Sequence, residues 1–128
     1  MNLLLDTHAF LWYVWNDHKL SKTARDLIAD PANHKLISIA SLWEIAIKVA
    51  LNKLDLGEPF LPFVRTQMAL NFFDSLPVTI EHSSQLTGLP FHHRDPFDRM
   101  LIAQAISENI PIVGADAAFD SYSIVRFW

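Results

Sequence analysis

Leu3-Leu4-Leu5-Asp6-Thr7-His8-Ala9-Phe10-Leu11-Trp12 is the stretch that decides the fold class. Asn2–Leu5 is a short apolar run without alternation, the pattern of a strand covered on both faces. It stops at a carboxylate, and the aromatic-rich segment 7–15 then reads as a helix capped by Asp6 or Thr7. Working outward, residues 21–29 carry apolar and charged side chains at helical spacing and stop before Pro31. Residues 36–39 are β-branched enough for a second strand. Residues 41–54 form the clearest helix, with Leu42, Ile45, Val49 and Asn52 in one direction and Trp43, Ile47, Ala50 and Leu54 widening the apolar face. Gly57 and Pro59 break the chain, and residues 60–73 read as a helix with Pro62 in its first turn. The spacing then predicts a strand over 76–80, a short helix over 81–86, a strong helix over Pro96–Glu108 introduced by Asp95, and two last strands over 111–115 and 123–127. Strands alternating with helices imply an α/β fold, a parallel sheet with helices on both faces. Active sites in such sheets lie beyond the carboxyl ends of the strands.

Composition narrows the class. The 128 residues fit one domain spanning 1–128, and 51% apolar content is too high for disorder. With no cysteine there is no disulfide framework, zinc-thiolate site or thiol nucleophile. The opening residues lack the basic segment of a signal peptide, and no run approaches the ~18 charge-free apolar residues of a membrane span. The expectation is a cytoplasmic domain with no membrane partner. A net charge of −4 argues against a protein that grips nucleic acid through bulk charge. It does not exclude a nuclease whose carboxylates hold metal ions, because the ions reverse the local sign.

Two carboxylates fall where the strand-end rule looks, Asp6 after the first strand and Asp116 after residues 111–115. Glu44 and Asp98 sit near the starts of two helices. Each has an ordinary explanation. Asp6 and Asp116 suit helix caps, Glu44 is spaced to pair with Lys48, and Asp95-Pro96-Phe97-Asp98 is a good helix start by itself. Their joint placement is what those explanations leave as coincidence. Such acids brought together repel unless protons or a cation neutralise them, and an oxygen-only set suits Mg²⁺ or Mn²⁺. A dication held this way, with open water positions, can activate water for in-line phosphoryl displacement.

Four segments together resemble the PIN domains of VapC-type toxins, the toxin halves of type II toxin–antitoxin pairs. They are Leu4-Leu5-Asp6-Thr7-His8-Ala9-Phe10-Leu11-Trp12, Ser41-Leu42-Trp43-Glu44-Ile45-Ala46-Ile47-Lys48, His92-His93-Arg94-Asp95-Pro96-Phe97-Asp98-Arg99 and Ala115-Asp116-Ala117-Ala118-Phe119. The resemblance spans essentially the whole chain with the motifs in order. It implies a three-layer α/β/α sandwich around a central parallel sheet and Mg²⁺- or Mn²⁺-dependent endoribonuclease activity. It also implies neutralisation by a small antitoxin and frequent homodimerisation. The first family Asp falls on Asp6, the family Glu on Glu44 and the last Asp on Asp116. The third acid falls best on Asp98, because Ala103 and Ala105 then match the family's small residues, with Asp95 as the rival. Many relatives carry Thr two residues before the last Asp. Here that position is Gly114, so a hydroxyl that helps place metal or water is missing.

Thr7 and Ser41 are candidate hydroxyl donors beside the acids, and Lys48, Arg94 and Arg99 are candidate guides for a phosphate backbone. Lys48 equally suits a helix pair with Glu44, and the arginines equally suit solvated helix flanks. His8 is expected to be a packed histidine, and His92 with His93 an exposed loop pair, metal ligation being the minority reading. Trp12, Trp15 and Trp43 suit core packing, a dimer face or an antitoxin groove better than base stacking. Two rival functions share the sheet. A receiver-type phosphoacceptor domain needs paired acids after the first strand and a lysine after a late strand, whereas Asp6 is single and no lysine lies beyond Lys53. A PIN module that binds RNA or a partner without cutting has no need of all four acids.

Overall fold

The structure is a computed structural model and describes residues 1–128. The elements run β1 (Asn2–Leu5), α1 (Thr7–Val14), α2 (Lys22–Ala29), β2 (His34–Ser38), α3 (Ile39–Ala50), α4 (Phe60–Leu70), β3 (Phe73–Leu76), α5 (Ile80–Thr87), α6 (Pro96–Glu108), β4 (Ile112–Val113), a 3₁₀ turn (Ala117–Ser121) and β5 (Arg126–Phe127). The five strands pair in parallel in the order β3-β2-β1-β4-β5. No helix is long and apolar enough to cross a membrane.

Strand pleating divides the core. Leu3, Leu5, Ile37 and Val113 pack with Phe10, Leu11, Ala24, Ile28, Ile45 and Phe63 from α1, α2, α3 and α4. The alternate side chains Leu4 and Ile112 pack with Leu101, Ile102 and Ala105 of α6 and Phe119 of the 3₁₀ turn. Both faces of the central strands are therefore covered, which is why β1 reads as an uninterrupted apolar run. The expected three-layer α/β/α arrangement is the observed one.

Several boundaries differ from the sequence reading, most of them for a local reason. The segment 60–73 is helical only to Leu70, because Phe72 takes a left-handed backbone (φ 54°) that no helix continues through. Phe73 then starts β3, so the third strand lies at Phe73–Leu76 and not at 76–80. An apolar run of this length does not reveal its own period. The second strand stops at Ser38, whose hydroxyl accepts the Ala40 N–H at 3.0 Å and caps α3 two residues earlier than expected. At the other end α3 closes at Ala50, and Asn52 (φ 56°) turns the chain away. The last two strands are shorter than expected, at Ile112–Val113 and Arg126–Phe127.

The strand order fixes where a site forms. The chain moves outward from β1 through β2 to β3, then crosses to the opposite edge of β1 for β4 and β5. The crevice of an open parallel sheet lies at the carboxyl ends where the order reverses, here between β1 and β4. Pairing of Leu5 with Val113 and with Ile37 brings Asp6 level with Gly114 on one side and Ser38 on the other.

Candidate functional site

At that crevice a cavity of about 340 Å³ is lined by Asp6, Thr7, His8, Glu44, Lys48, Asp95, Asp98, Ala115 and Asp116. The four acids singled out from the sequence thus meet in one hollow, drawn from both ends of the chain. Larger hollows elsewhere are lined mainly by apolar side chains and carry no such chemistry.

Asp6 is both cap and wall. Its Oδ1 accepts the Ala9 N–H at 2.7 Å, which starts α1 and leaves Oδ2 outside the cap. Asp6, not Thr7, is therefore the capping residue. Burial, opposed by the Ala9 bond and reinforced by Asp98, Glu44 and Asp116, pushes its carboxyl up to about 7. Its neighbour Gly114 bears on the space available: a Cβ there would lie 2.5 Å from Asp6 Oδ2 and 3.0 Å from Asp6 Cγ. The position where many relatives carry Thr has no room for a side chain while Asp6 stands where it does.

Glu44 projects from α3 and is buried. Its Oε1 accepts the Thr7 hydroxyl at 2.7 Å, and Lys48 Nζ lies 3.0 Å from Oε2. The expected helix pair is present, and Thr7 ties the same carboxylate to the end of β1. Ser41, one turn earlier, is buried with a hydroxyl that has no partner, and it does not line the hollow.

The start of α6 separates the two rival acids. Asp95 Oδ1 accepts the N–H groups of Phe97 and Asp98 at 2.9 and 3.0 Å, the work of a cap. Asp98, in the first turn, has no such duty. Burial, then the neighbouring Asp95 charge, pushes it up to about 6, with His93 opposing. Asp116 caps the 3₁₀ turn through the Ala118 N–H at 2.9 Å and keeps Oδ2 for the hollow.

His93 is the residue that sequence reasoning left aside. It is not an exposed loop side chain: its Nε2 lies 3.1 Å from Asp98 Oδ2 and hydrogen-bonds Asp116 Oδ2 at 3.1 Å. Its ring stacks on Phe119, with centroids 5.9 Å apart, and its Nδ1 accepts the Asp95 N–H at 3.2 Å. Nothing in the pattern His92-His93-Arg94 tells which histidine turns inward, and His92 is exposed against Tyr122.

The other candidates are placed as follows. Arg99 is buried and donates to the carbonyls of Pro90, Leu89 and His93 at 2.8, 3.1 and 3.4 Å, over the Phe91 ring. It fastens the loop before α6 and does not face the hollow, while Arg94 is exposed. His8 is exposed and stacked on Trp12, not packed inside. Trp12 is half-buried against Trp128, whereas Trp15 and Trp43 are exposed at 40% and 62%.

The site's chemistry is oxygen-rich. Asp98, Asp116 and His93 each offer one ligand atom, all within 4.8 Å of one another. Asp6 Oδ2, given room by Gly114, and Glu44 add hard donors from the other side of the cavity. That donor set fits Mg²⁺ or Mn²⁺, and carboxyls raised by burial first and by one another's charge second are what a dication relieves.

Residues 3–125 match the family model described as PIN domain. The fold is similar to that in the crystal structure of VapBC2 from Rickettsia felis bound to a DNA fragment from their promoter. That match has a TM-score of 0.70 and 16% identity, covering 99% of this chain and 98% of that one. VapBC-1 from nontypeable Haemophilus influenzae matches with a TM-score of 0.65 and 16% identity over 99% and 97% of the two chains. VapBC-5 from Mycobacterium tuberculosis, a member of the VapBC family of toxin-antitoxin systems, matches with a TM-score of 0.62 and 19% identity over 98% of each. No curated protein matches the sequence. With the family model matched over residues 3–125 and a sheet whose crevice collects the expected acids, the chain belongs to the PIN domain family.

Proposed function

We propose that this single domain is a Mg²⁺- or Mn²⁺-dependent endoribonuclease and the toxin half of a type II toxin–antitoxin pair. The observation that carries the reading is the meeting of Asp6, Glu44, Asp98 and Asp116 in one hollow at the β1–β4 crevice. Asp6, Glu44, Asp98 and Asp116 would hold the ion, partly through water. Asp95 remains the helix cap beside them. When bound, such an ion makes water nucleophilic near neutral pH and offsets charge growing on the phosphoryl oxygens.

The chain's own residues do the rest. Thr7 fixes Glu44 through Oε1, so this carboxylate enters the site in one orientation. Lys48 supplies the cation that faces the hollow and suits a phosphate approaching it. A carboxylate oxygen of the cluster would take the proton lost by the attacking water; the new P–O bond forms as the bond from phosphorus to the leaving ribose oxygen breaks, and that oxygen takes a proton from solvent. The proposed substrate is single-stranded RNA, whose phosphates would meet Lys48 at the rim of an otherwise acidic hollow.

The antitoxin and a second copy of the chain are the proposed protein partners, in the cytoplasm. Leu42, Trp43, Phe60, Leu61, Val64 and Met68 line an apolar groove of about 770 Å³ between α3 and α4 that suits such contacts. The solved neighbours are themselves toxin–antitoxin complexes. A receiver domain is disfavoured by the sheet, since that fold orders its strands 2-1-3-4-5 and this one 3-2-1-4-5.

The test is cleavage of structured RNAs by purified protein with Mn²⁺, with EDTA and with Asp6→Asn. Cleavage is expected only for the wild type with metal. Metal-independent cutting, or full activity of Asp6→Asn, would sink the reading.

A further inference from the structure

His93 stands between two of the carboxylates to which the proposed function assigns the ion, and this inference rests on that reading. Its hydrogen bonding defines its role. Nδ1 accepts the Asp95 backbone N–H, so that nitrogen carries a lone pair and the proton of the neutral ring sits on Nε2. The Nε2–H is directed at Asp116 Oδ2, with Asp98 Oδ2 at the same 3.1 Å distance. A nitrogen that carries a proton has no lone pair for a metal. Ligation through Nε2 would require the ring to give up the Asp95 contact. The ring is also held by stacking on Phe119, and the His93 backbone N–H donates to Tyr122 Oη at 2.7 Å.

We infer that His93 is a placeholder: its Nε2–H hydrogen-bonds Asp116 with Asp98 Oδ2 at the same distance in the metal-free protein, keeps the two carboxylates converged, and loses that bond when a divalent cation draws the carboxylates to itself. It is a positioning residue, not a ligand. Such a group taxes metal affinity, because the binding-competent arrangement must first be freed of it. What it provides in return is a converged pair of acids that do not drive each other apart before the ion arrives.

Calorimetric titration of the metal-free protein with MnCl₂ tests this, using wild type, His93→Ala and His93→Gln. His93→Ala is expected to bind Mn²⁺ roughly three- to tenfold more tightly, since no hydrogen-bonded donor has to leave. His93→Gln, which keeps an N–H near the Nε2 position, is expected to stay close to wild type. Weaker binding by His93→Ala would show that His93 assists the ion and does not tax its binding, and would overturn the inference, as would unchanged binding. Absence of Mn²⁺ uptake by every form would overturn the metal reading itself along with it. Uptake by the wild type with no response to the substitutions overturns only the role of His93. A second readout needs no substitution. In ¹⁵N spectra of the wild type at about pH 8, where a free imidazole is neutral, His93 is expected to be protonated on Nε2 with and without Mg²⁺. Loss of that proton on adding Mg²⁺ would overturn the inference.

Discussion

Thr7 and Glu44 are 37 residues apart in sequence, and the hydroxyl of one donates to the carboxylate of the other at 2.7 Å inside the protein. The bond joins the end of β1 to the body of α3 and turns a helix-borne acid toward a strand-borne one. Thr7→Val keeps the shape and removes the donor. It is expected to lower stability by about 1.5 kcal/mol, the usual cost of a lost hydrogen bond to a charged group. Mn²⁺ affinity should fall roughly tenfold as Glu44 loses its orientation. Urea unfolding in EDTA and metal titration check the two effects separately.

Asp6→Asn separates folding from function in the opposite direction. Asn keeps an oxygen to accept the Ala9 N–H and removes a carboxyl that burial already penalises. The metal-free variant is expected to unfold at the same or higher urea concentration than wild type at about pH 8, while metal uptake and cleavage are lost. Clear destabilisation of the metal-free variant would contradict this account of Asp6.

Gly114→Ala tests the space beside Asp6. Its Cβ must push Asp6 Oδ2 away from a 2.5 Å approach, so metal affinity is expected to fall by roughly ten- to a hundredfold. Gly114→Thr introduces the residue many relatives carry and is expected to impair the protein as well. Activity at or above wild type for either would show that Asp6 can settle elsewhere.

At the start of α6 two neighbouring acids should respond differently. Asp95→Ala removes a cap made by two bonds and is expected to cost about 1 kcal/mol of stability. Its metal site should survive in weakened form. Asp98→Ala is expected to abolish metal uptake with little loss of stability, since Asp98 caps nothing and its ionisation is opposed by burial and by Asp95. The reverse outcome would move the third site acid to Asp95.

The pH dependence follows from the two raised carboxyls. Asp6 and Asp98 titrate near 7 and 6 in the folded protein against an ordinary value of 3.8, so between these limits the native state holds more protons than the unfolded chain. Their contribution to the stability of the metal-free protein is fully present below about 3.8 and is lost as pH rises through 6 and then 7. Metal binding has the opposite slope: it needs both groups ionised, so affinity should rise over the same range and protons should be released on uptake. Calorimetry in buffers of different ionisation enthalpy measures that release, and a titration without it would contradict the assignment.

The sequence makes the layers legible because β1 is apolar without alternation and Asp6, Ser21 and Asp95 are helix-start residues that cap as their types suggest. It fails at Phe72 and Phe73, two identical side chains of which one is exposed on a left-handed turn and the other buried in a strand. That difference is set by the neighbouring layer, not by the residues. The acids are legible through their position after strands and in the first turns of helices. His93 is not, because its inward turn depends on Phe119 and Asp116, both reached only after the chain has crossed α6 and β4. Arg99 misleads for a related reason: a guanidinium near acids suggests phosphate, yet the carbonyls of Leu89, Pro90 and His93 take its hydrogen bonds and Phe91 takes its face.

Because β1 lies in the middle of the sheet and takes its second neighbour from residues 112–113, the hollow has one wall written early in the gene and the other written late. A ribosome part-way through the message holds Asp6 and Glu44 without their counterparts. Under the proposed nuclease function, this order of synthesis works as a safeguard. The hollow lacks the wall that carries Asp116 until β4 has docked beside β1.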